Sequence, residues 1–172
     1  ILGNLLFEKY QALEKAGNYK LAVQGYKAIY DSKKYPKTTK AQAAYAIATL
    51  SLELNNASDS KKWLKRSFEY FQEEDILKIT KSILEISKGL RLLQDFEYSK
   101  ELSLVMLGKL CKTEDKTKND FYIIANENTL THSPSIKNLL KVESLADDCG
   151  IEKNVALLQK EQNFLSLIFL DD

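Results

Sequence analysis

The side chains able to support catalysis or metal binding are few in this 172-residue chain. His132 is the only histidine, and it lies beside a predicted helix start in the segment Leu130–Ser133. One histidine cannot form a histidine metal cluster, and a loop or capping role is the favoured interpretation. The six glycines are scattered, so no glycine-rich phosphate-binding loop is present. The sequence therefore predicts no enzyme, no catalytic residue, no metal site and no cofactor.

The cysteines and the acidic runs do not form a recognisable site either. Cys111 and Cys149 lie far apart and form no C-x-x-C motif, so we expect two core or partly exposed thiols rather than a disulfide. The acidic runs 73–75 and 147–148 fall at predicted helix ends. A calcium-binding EF-hand needs alternating ligands and a glycine in mid-loop, and neither run has them.

The overall charge is almost balanced, with 25 basic and 24 acidic residues. Nearly all basic residues are lysines, the arginines being Arg66 and Arg91, whereas phosphate-reading surfaces favour arginine forks. We therefore expect no nucleic-acid partner. The most apolar run, Phe164–Leu170, is far shorter than the roughly 18 residues of a membrane span, so we expect no integral membrane segment. The chain begins at Ile1, and we expect it to be part of a longer protein.

The stretch 17–36 predicts the turn and second helix of a helical hairpin. Gly17 can adopt a left-handed conformation and end a first helix, and Asn18 can cap a second. Ala22 allows close approach of two helices, and Tyr26 fills the space one turn later. Pro36 marks the next boundary because proline cannot continue a helix.

The same arrangement recurs along the chain, which we predict to be all-α with eight or nine helices and no strand. The predicted turns fall near residues 17, 55 and 94, and Ser58 or Asp59 is expected to cap the helix after the second turn. A charged loop is predicted over 112–120, and Ser133 is expected to cap the helix that Gly150 ends. The later predicted helices span 38–55, 58–72, 75–94, 98–110, 121–126, 134–149 and 151–169.

The spacing resembles a tetratricopeptide repeat (TPR). The turn of the repeat matches Gly17-Asn18-Tyr19, and the pattern of its second helix matches Ala22…Tyr26. The proline that closes the repeat matches Pro36. Two departures are Tyr10, where a small residue is usual, and a period above the standard length. The resemblance implies a right-handed solenoid of three TPR-like hairpins over residues 1–111. Residues 112–172 would then add a loop and C-terminal helices that pack on the solenoid or extend it.

The segment Gly17–Phe71 also resembles bacterial cell-envelope TPR proteins of the BamD and YbgF (CpoB) type. Tyr35-Pro36-Lys37-Thr38 stands for their Y-P-x-S motif, and Ala44-Tyr45…Ala48 for their first-helix pattern. These motifs cover about a third of the chain. They leave open whether the protein works in the bacterial cell envelope, the periplasm or the cytoplasm.

The TPR resemblance implies a non-enzymatic protein–protein interaction or scaffold module that holds a peptide or helix of a partner in a concave groove. Packing of Phe7 and Tyr45 against neighbouring helices is the alternative interpretation of the two aromatics. A second candidate surface is Phe164–Leu170, which we expect to fold back on the core. The partner-binding candidates are Asn4, Phe7, Gln11, Glu14, Gln42, Tyr45 and Thr49.

Two other functions fit the same sequence. One is a peptide-sensing regulatory domain of a larger transcription regulator, and the other is an accessory helical domain of a larger enzyme. A helix-turn-helix or a catalytic domain elsewhere in the full-length protein would distinguish them from a scaffold.

Overall fold

In a computed structural model the described residues are 2–132 and 134–151, with side chains from Phe7 onward. This part of the chain contains nine helices and no strand, which confirms the all-α prediction. The predicted helix 151–169 and its apolar run 164–170 lie outside the described residues. The helices are α1 (Leu2–Lys15), α2 (Tyr19–Asp31), α3 (Lys37–Glu53), α4 (Ala57–Tyr70), α5 (Glu73–Lys78), α6 (Thr80–Leu92), α7 (Phe96–Leu110), α8 (Thr117–His132) and α9 (Ile136–Asp148).

The chain divides into two compact units, Ile1–Ile79 and Thr80–Asp172. In the first unit α3 packs against both α2 and α4, and α1 packs against α2. In the second unit α8 packs against α6, α7 and α9. The boundary that the sequence suggested at 111–112 therefore falls inside the second unit, between two helices that pack together.

Three turns share one backbone geometry, at the positions where the sequence places them. Each has one residue with a positive φ, namely Gly17 (83°), Asn55 (55°) and Gln94 (67°). In each turn the following amide donates to the carbonyl five residues back, at 2.8, 2.8 and 2.9 Å. This hydrogen bond is the mark of a Schellman helix end, and at these three turns it reverses the chain into the next helix. The end of α9 has the same geometry at Gly150 (φ 64°), where the Ile151 amide donates to the Ala146 carbonyl at 3.0 Å.

The capping residues differ from those expected. Asn18 stands at the N-terminus of α2 but makes no side-chain capping bond. Asn56, rather than Ser58 or Asp59, caps α4 by accepting the Asp59 amide at 3.0 Å. Similarly, Ser135 rather than Ser133 caps α9, accepting the Asn138 amide at 3.0 Å.

Other predicted boundaries are also wrong, including the helix expected over 121–126, which is the longer α8 (Thr117–His132). The helix expected over 75–94 is interrupted at Ile79, whose amide turns back to the Ile76 carbonyl, so that α5 and α6 are separate helices. The charged loop expected over 112–120 is shorter, because Asp115 accepts the Thr117 amide at 2.9 Å and α8 begins there. Local hydrogen bonds of this kind compete with the backbone hydrogen bonds of a helix and so determine where helices start.

The contact between Tyr10 of α1 and Gly25 of α2 places a large residue against a small one. The TPR pattern has a small residue at the position of Tyr10 on the first helix. Here the small residue lies on the second helix instead, as the buried Gly25. A Cβ atom added at Gly25 would lie 2.1 Å from Cε1 of the Tyr10 ring. The ring therefore packs directly on the α2 backbone, and α1 and α2 still approach closely.

The core of the first unit is made of alanines and aromatic rings. Ala43, Ala44 and Ala48 of α3 are fully buried. Trp63 of α4 is also buried, and its ring meets Tyr30 edge-on with centroids 5.1 Å apart. Small residues on one helix thus leave room for large rings on its neighbours.

The core of the second unit contains a buried hydroxyl network. The Ser87 hydroxyl lies 2.7 Å from the Ser103 hydroxyl and donates to the Ser99 carbonyl at 3.0 Å. The Ser99 hydroxyl lies 3.0 Å from Nδ2 of Asn128, which donates to it. All four residues are buried. These hydrogen bonds satisfy the three serine hydroxyl groups, whereas Oδ1 of Asn128 accepts no hydrogen bond.

A disulfide joins Cys111 to Cys149, which contradicts the expectation of two separate thiols. Cys111 directly follows α7 and Cys149 directly follows α9, two helices that pack together in the second unit. Their proximity is created by tertiary packing over a separation of 38 residues, and the sequence spacing carries no signal of it.

Candidate functional site

The first unit contains a hollow of about 550 Å³ between helices α1 and α3, closed on a further side by α5. We call it the α1–α3 groove. Six of the seven partner-binding candidates line it. The lining residues are Phe7, Gln11, Glu14, Tyr26, Gln42, Tyr45, Ala46, Thr49, Phe71, Asp75, Lys78 and Ile79.

Helix α1 supplies one wall. Phe7, Gln11 and Glu14 are spaced by four and then three residues, so they share one face of the helix. Gln11 is exposed, whereas Phe7 and Glu14 are half-buried. Asn4, the remaining candidate, belongs to the same helix, but its side chain lies outside the described residues.

Helix α3 supplies the facing wall through Gln42, Tyr45 and Thr49, again spaced to share one face. The Thr49 hydroxyl donates to the Ala46 carbonyl at 2.8 Å within its own helix. Gln42 is exposed. The two walls thus each carry one exposed glutamine amide, a group that can both donate to and accept from a peptide backbone.

Four aromatic rings surround the apolar interior of the groove. Phe7 and Tyr26 lie 5.2 Å apart between ring centroids, and Tyr45 and Phe71 lie 6.2 Å apart with an edge-on orientation. Phe7 and Tyr45 therefore do pack against neighbouring rings, as the alternative interpretation held. Both side chains are nevertheless only half-buried and also line the groove, so the two interpretations are compatible.

A carboxylate and a buried phenol lie together in the groove. The Tyr26 hydroxyl donates to Oε2 of Glu14 at 3.3 Å. Burial first, and then the nearby Glu14 charge and this hydrogen bond, raise the pKa of Tyr26 well above its usual range. Tyr26 therefore remains a neutral donor to Glu14 at any physiological pH.

The groove also contains residues that the sequence did not suggest. Tyr26 was expected only to fill space beside Ala22, and Phe71 fell inside the predicted helix 58–72. Phe71 instead follows the last residue of α4 in an extended conformation. Asp75 and Lys78 arrive with α5, a six-residue helix that the sequence merged with α6. The available signal was Gln72-x-x-Asp75, which has the spacing of a capping box at a new helix start.

Comparison with known proteins identifies no relative of this chain. Scans of protein-family models, of curated proteins and of solved structures each found no match. The resemblance to TPR proteins, and to the BamD and YbgF type within them, therefore stays a prediction drawn from the motifs themselves.

The histidine, cysteine and acidic side chains outside the groove are the other groups that could form a metal or reactive site in the described part of the chain. His132 is the last residue of α8 and its ring stacks on Phe96 with centroids 3.3 Å apart, so the expected loop or capping role is wrong. Within residues 2–132 and 134–151, no three histidine, cysteine or acidic side chains are placed to hold a metal ion. None of the helices in these ranges has the length and hydropathy needed to cross a membrane.

Proposed function

We propose that the first unit is a non-enzymatic protein-interaction module that holds a peptide segment of a partner protein in the α1–α3 groove. The observation that carries the proposal is the composition of the groove, which combines four aromatic rings with two exposed glutamine amides on facing helices. Binding sites of this size are typically apolar with a few polar groups that fix orientation.

The aromatic rings would supply most of the binding free energy. A partner side chain inserted between the Phe7–Tyr26 pair and the Tyr45–Phe71 pair would lose its contact with water on several sides. Large aromatic residues in desolvated pockets are the usual hot spots of protein interfaces. Gln11 and Gln42 would then hydrogen-bond the peptide backbone at the edges of the groove and fix its direction.

The TPR-like pairing of the hairpins α1–α2 and α3–α4 belongs to the same proposal. It is supported by the turns at Gly17 and Asn55. In each of them one residue has a left-handed backbone conformation, and the next amide donates to the carbonyl five residues back. A module of this kind would bind with little rearrangement, since its groove is formed by packed helices.

The experiment is a selection of peptides from a random displayed library on the full chain, followed by titration of the recovered peptides. The variant Phe7→Ala/Tyr45→Ala removes one ring from each pair. We expect it to weaken binding at least about thirtyfold, in line with a loss of ~2 kcal/mol at a hot spot. Circular dichroism and a thermal melt establish that the variant is folded.

The matched control is Leu21→Ala, which truncates an apolar side chain that is 55% exposed on α2 and does not line the groove. It should leave peptide affinity unchanged. Equal weakening by the control and the groove variant, or recovery of no peptide by the wild type, would contradict the proposed function.

A further inference from the structure

We infer that the α1–α3 groove selects peptide segments in which a lysine or arginine lies within about three residues of an apolar anchor, with Glu14 receiving the cation. This inference rests on the proposed function and specifies the class of partner. Its physical basis is the placement of Glu14 among the aromatic rings, together with the way the other charged groups of the groove are used.

Glu14 is a carboxylate with acceptor capacity to spare. A carboxylate offers about four lone-pair sites, and the Tyr26 hydroxyl occupies one of them, at 3.3 Å. The ion pairs found in the described part of the chain do not include Glu14. Because Glu14 is half-buried beside a fully buried phenol, an arriving cation would be screened less than at an open surface.

The other two charged residues of the lining are placed differently. Asp75 accepts the Gln72 amide at 3.3 Å and so takes part in starting α5. Lys78 is exposed in the last turn of α5, so water and salt screen its charge more than that of a half-buried group. Glu14 is therefore the charged group of the lining best placed to recognise a peptide side chain of opposite charge.

The distance between anchor and cation follows from helix geometry. Phe7 and Glu14 are seven residues apart on α1, which corresponds to about 10.5 Å along the helix axis. An extended peptide advances about 3.3 Å per residue, so it covers the same distance in about three residues. An apolar side chain packed near Phe7 would thus place a basic residue up to three positions away beside Glu14.

The charge of the groove lining differs in sign from that of the first unit as a whole. That unit has 13 basic and 9 acidic residues, a net charge of +4, whereas the groove lining has two acidic residues and one lysine. A basic peptide would therefore be attracted locally, by the groove, and not by the unit as a whole. An acidic segment would be attracted by the unit as a whole but repelled inside the groove by Glu14 and Asp75.

The test compares the peptides selected by the wild type with those selected by Glu14→Gln, which keeps the shape and removes the charge. We expect lysine or arginine to be enriched near an apolar residue for the wild type, and the basic preference alone to disappear for the variant. A selected peptide should bind Glu14→Gln about tenfold more weakly, the loss expected for one charge-assisted hydrogen bond. Glu8→Gln is the matched control, because Glu8 is exposed on the same helix and does not line the groove.

A second arm uses the wild-type protein alone, so the result does not depend on folding of a variant. Replacing the basic residue of a selected peptide by norleucine should reproduce the tenfold loss. If peptides bind the groove with no basic enrichment, or if Glu14→Gln and norleucine leave affinity unchanged, the inference is overturned while the proposed function stands. If no peptide is recovered by the wild type, both are overturned.

Discussion

The two units of this protein pack their helices in different ways. The first unit uses alanines and aromatic rings, with Ala44, Tyr26 and Trp63 among its buried residues. The second unit buries a network of serine and asparagine side chains and adds the Cys111–Cys149 disulfide. Their charges differ as well, at 13 basic to 9 acidic residues in the first and 12 to 15 in the second.

This difference bears on where a binding site can form. Buried hydroxyls and amides need partners at hydrogen-bond distance, so a network such as that around Ser87 favours a closed interior. An aromatic ring can pack against the core with one edge while another edge stays in contact with solvent. In the first unit such rings line both the core and the groove. In the described residues, aromatic rings thus line a groove in the first unit, whereas the hydroxyl network of the second unit is buried in its core.

The largest effect is expected from removing the disulfide. Because the bond closes a loop of 38 residues, the variant Cys111→Ser/Cys149→Ser should lower the free energy of unfolding of the second unit by about 4 kcal/mol. Hydrogen exchange followed by mass spectrometry should show faster exchange in α7 and α9, and unchanged exchange in α3 and α4. Equal acceleration in both units would show that they do not differ in this respect.

A smaller effect is expected at the contact between Tyr10 and Gly25. The variant Gly25→Ala forces a methyl group into the Tyr10 ring and should destabilise the first unit by about 2 to 3 kcal/mol, measured by denaturant unfolding. Combining it with Tyr10→Ala should recover part of the loss, because the second change removes the obstacle.

Gly108→Ala is the matched control for Gly25→Ala. Gly108 is an exposed glycine within α7, and an added methyl group would meet nothing within 4 Å. Alanine should therefore stabilise α7 by about 0.5 to 1 kcal/mol through its higher helix propensity. A similar loss at both glycines would contradict the account of ring packing at Gly25.

The smallest of the three effects concerns the hydroxyl network. Ser87→Ala removes one partner from Ser103 and one from Ser99, and should cost about 1 to 2 kcal/mol of unfolding free energy. Ser144→Ala, on the exposed surface of α9, should change it by less than about 0.5 kcal/mol. Indistinguishable melting curves for the two variants would mean that the buried network adds little to the second unit.

Local signals allowed much of the fold to be predicted from sequence. The all-α class followed from helical periodicity, and the turns followed from residues that tolerate or accept a left-handed conformation, as at Gly17 and Asn55. The TPR resemblance implied seven partner-binding candidates, and six of them line the α1–α3 groove, because spacing along α1 and α3 determines which side chains share a face. Their role in binding stays a prediction.

Features created by tertiary packing could not be predicted in the same way. The disulfide depends on how α7 and α9 meet, and Phe71 reaches the groove only because the chain leaves α4 in an extended conformation. The packing of the Tyr10 ring on Gly25 depends on which two residues meet between α1 and α2, and neither residue alone indicates its partner. The α5 start was missed because a helix signal of one turn is easily merged with its neighbour.

The most direct test of the account is site-specific photo-cross-linking with a peptide recovered from the selection. A photoreactive amino acid placed at Gln42, on the edge of the α1–α3 groove, should form a cross-link that excess unlabelled peptide suppresses. The same amino acid placed at Leu21, exposed on α2 outside the groove, should form none. Cross-linking from Leu21 but not from Gln42 would contradict the assignment of the groove as the binding surface.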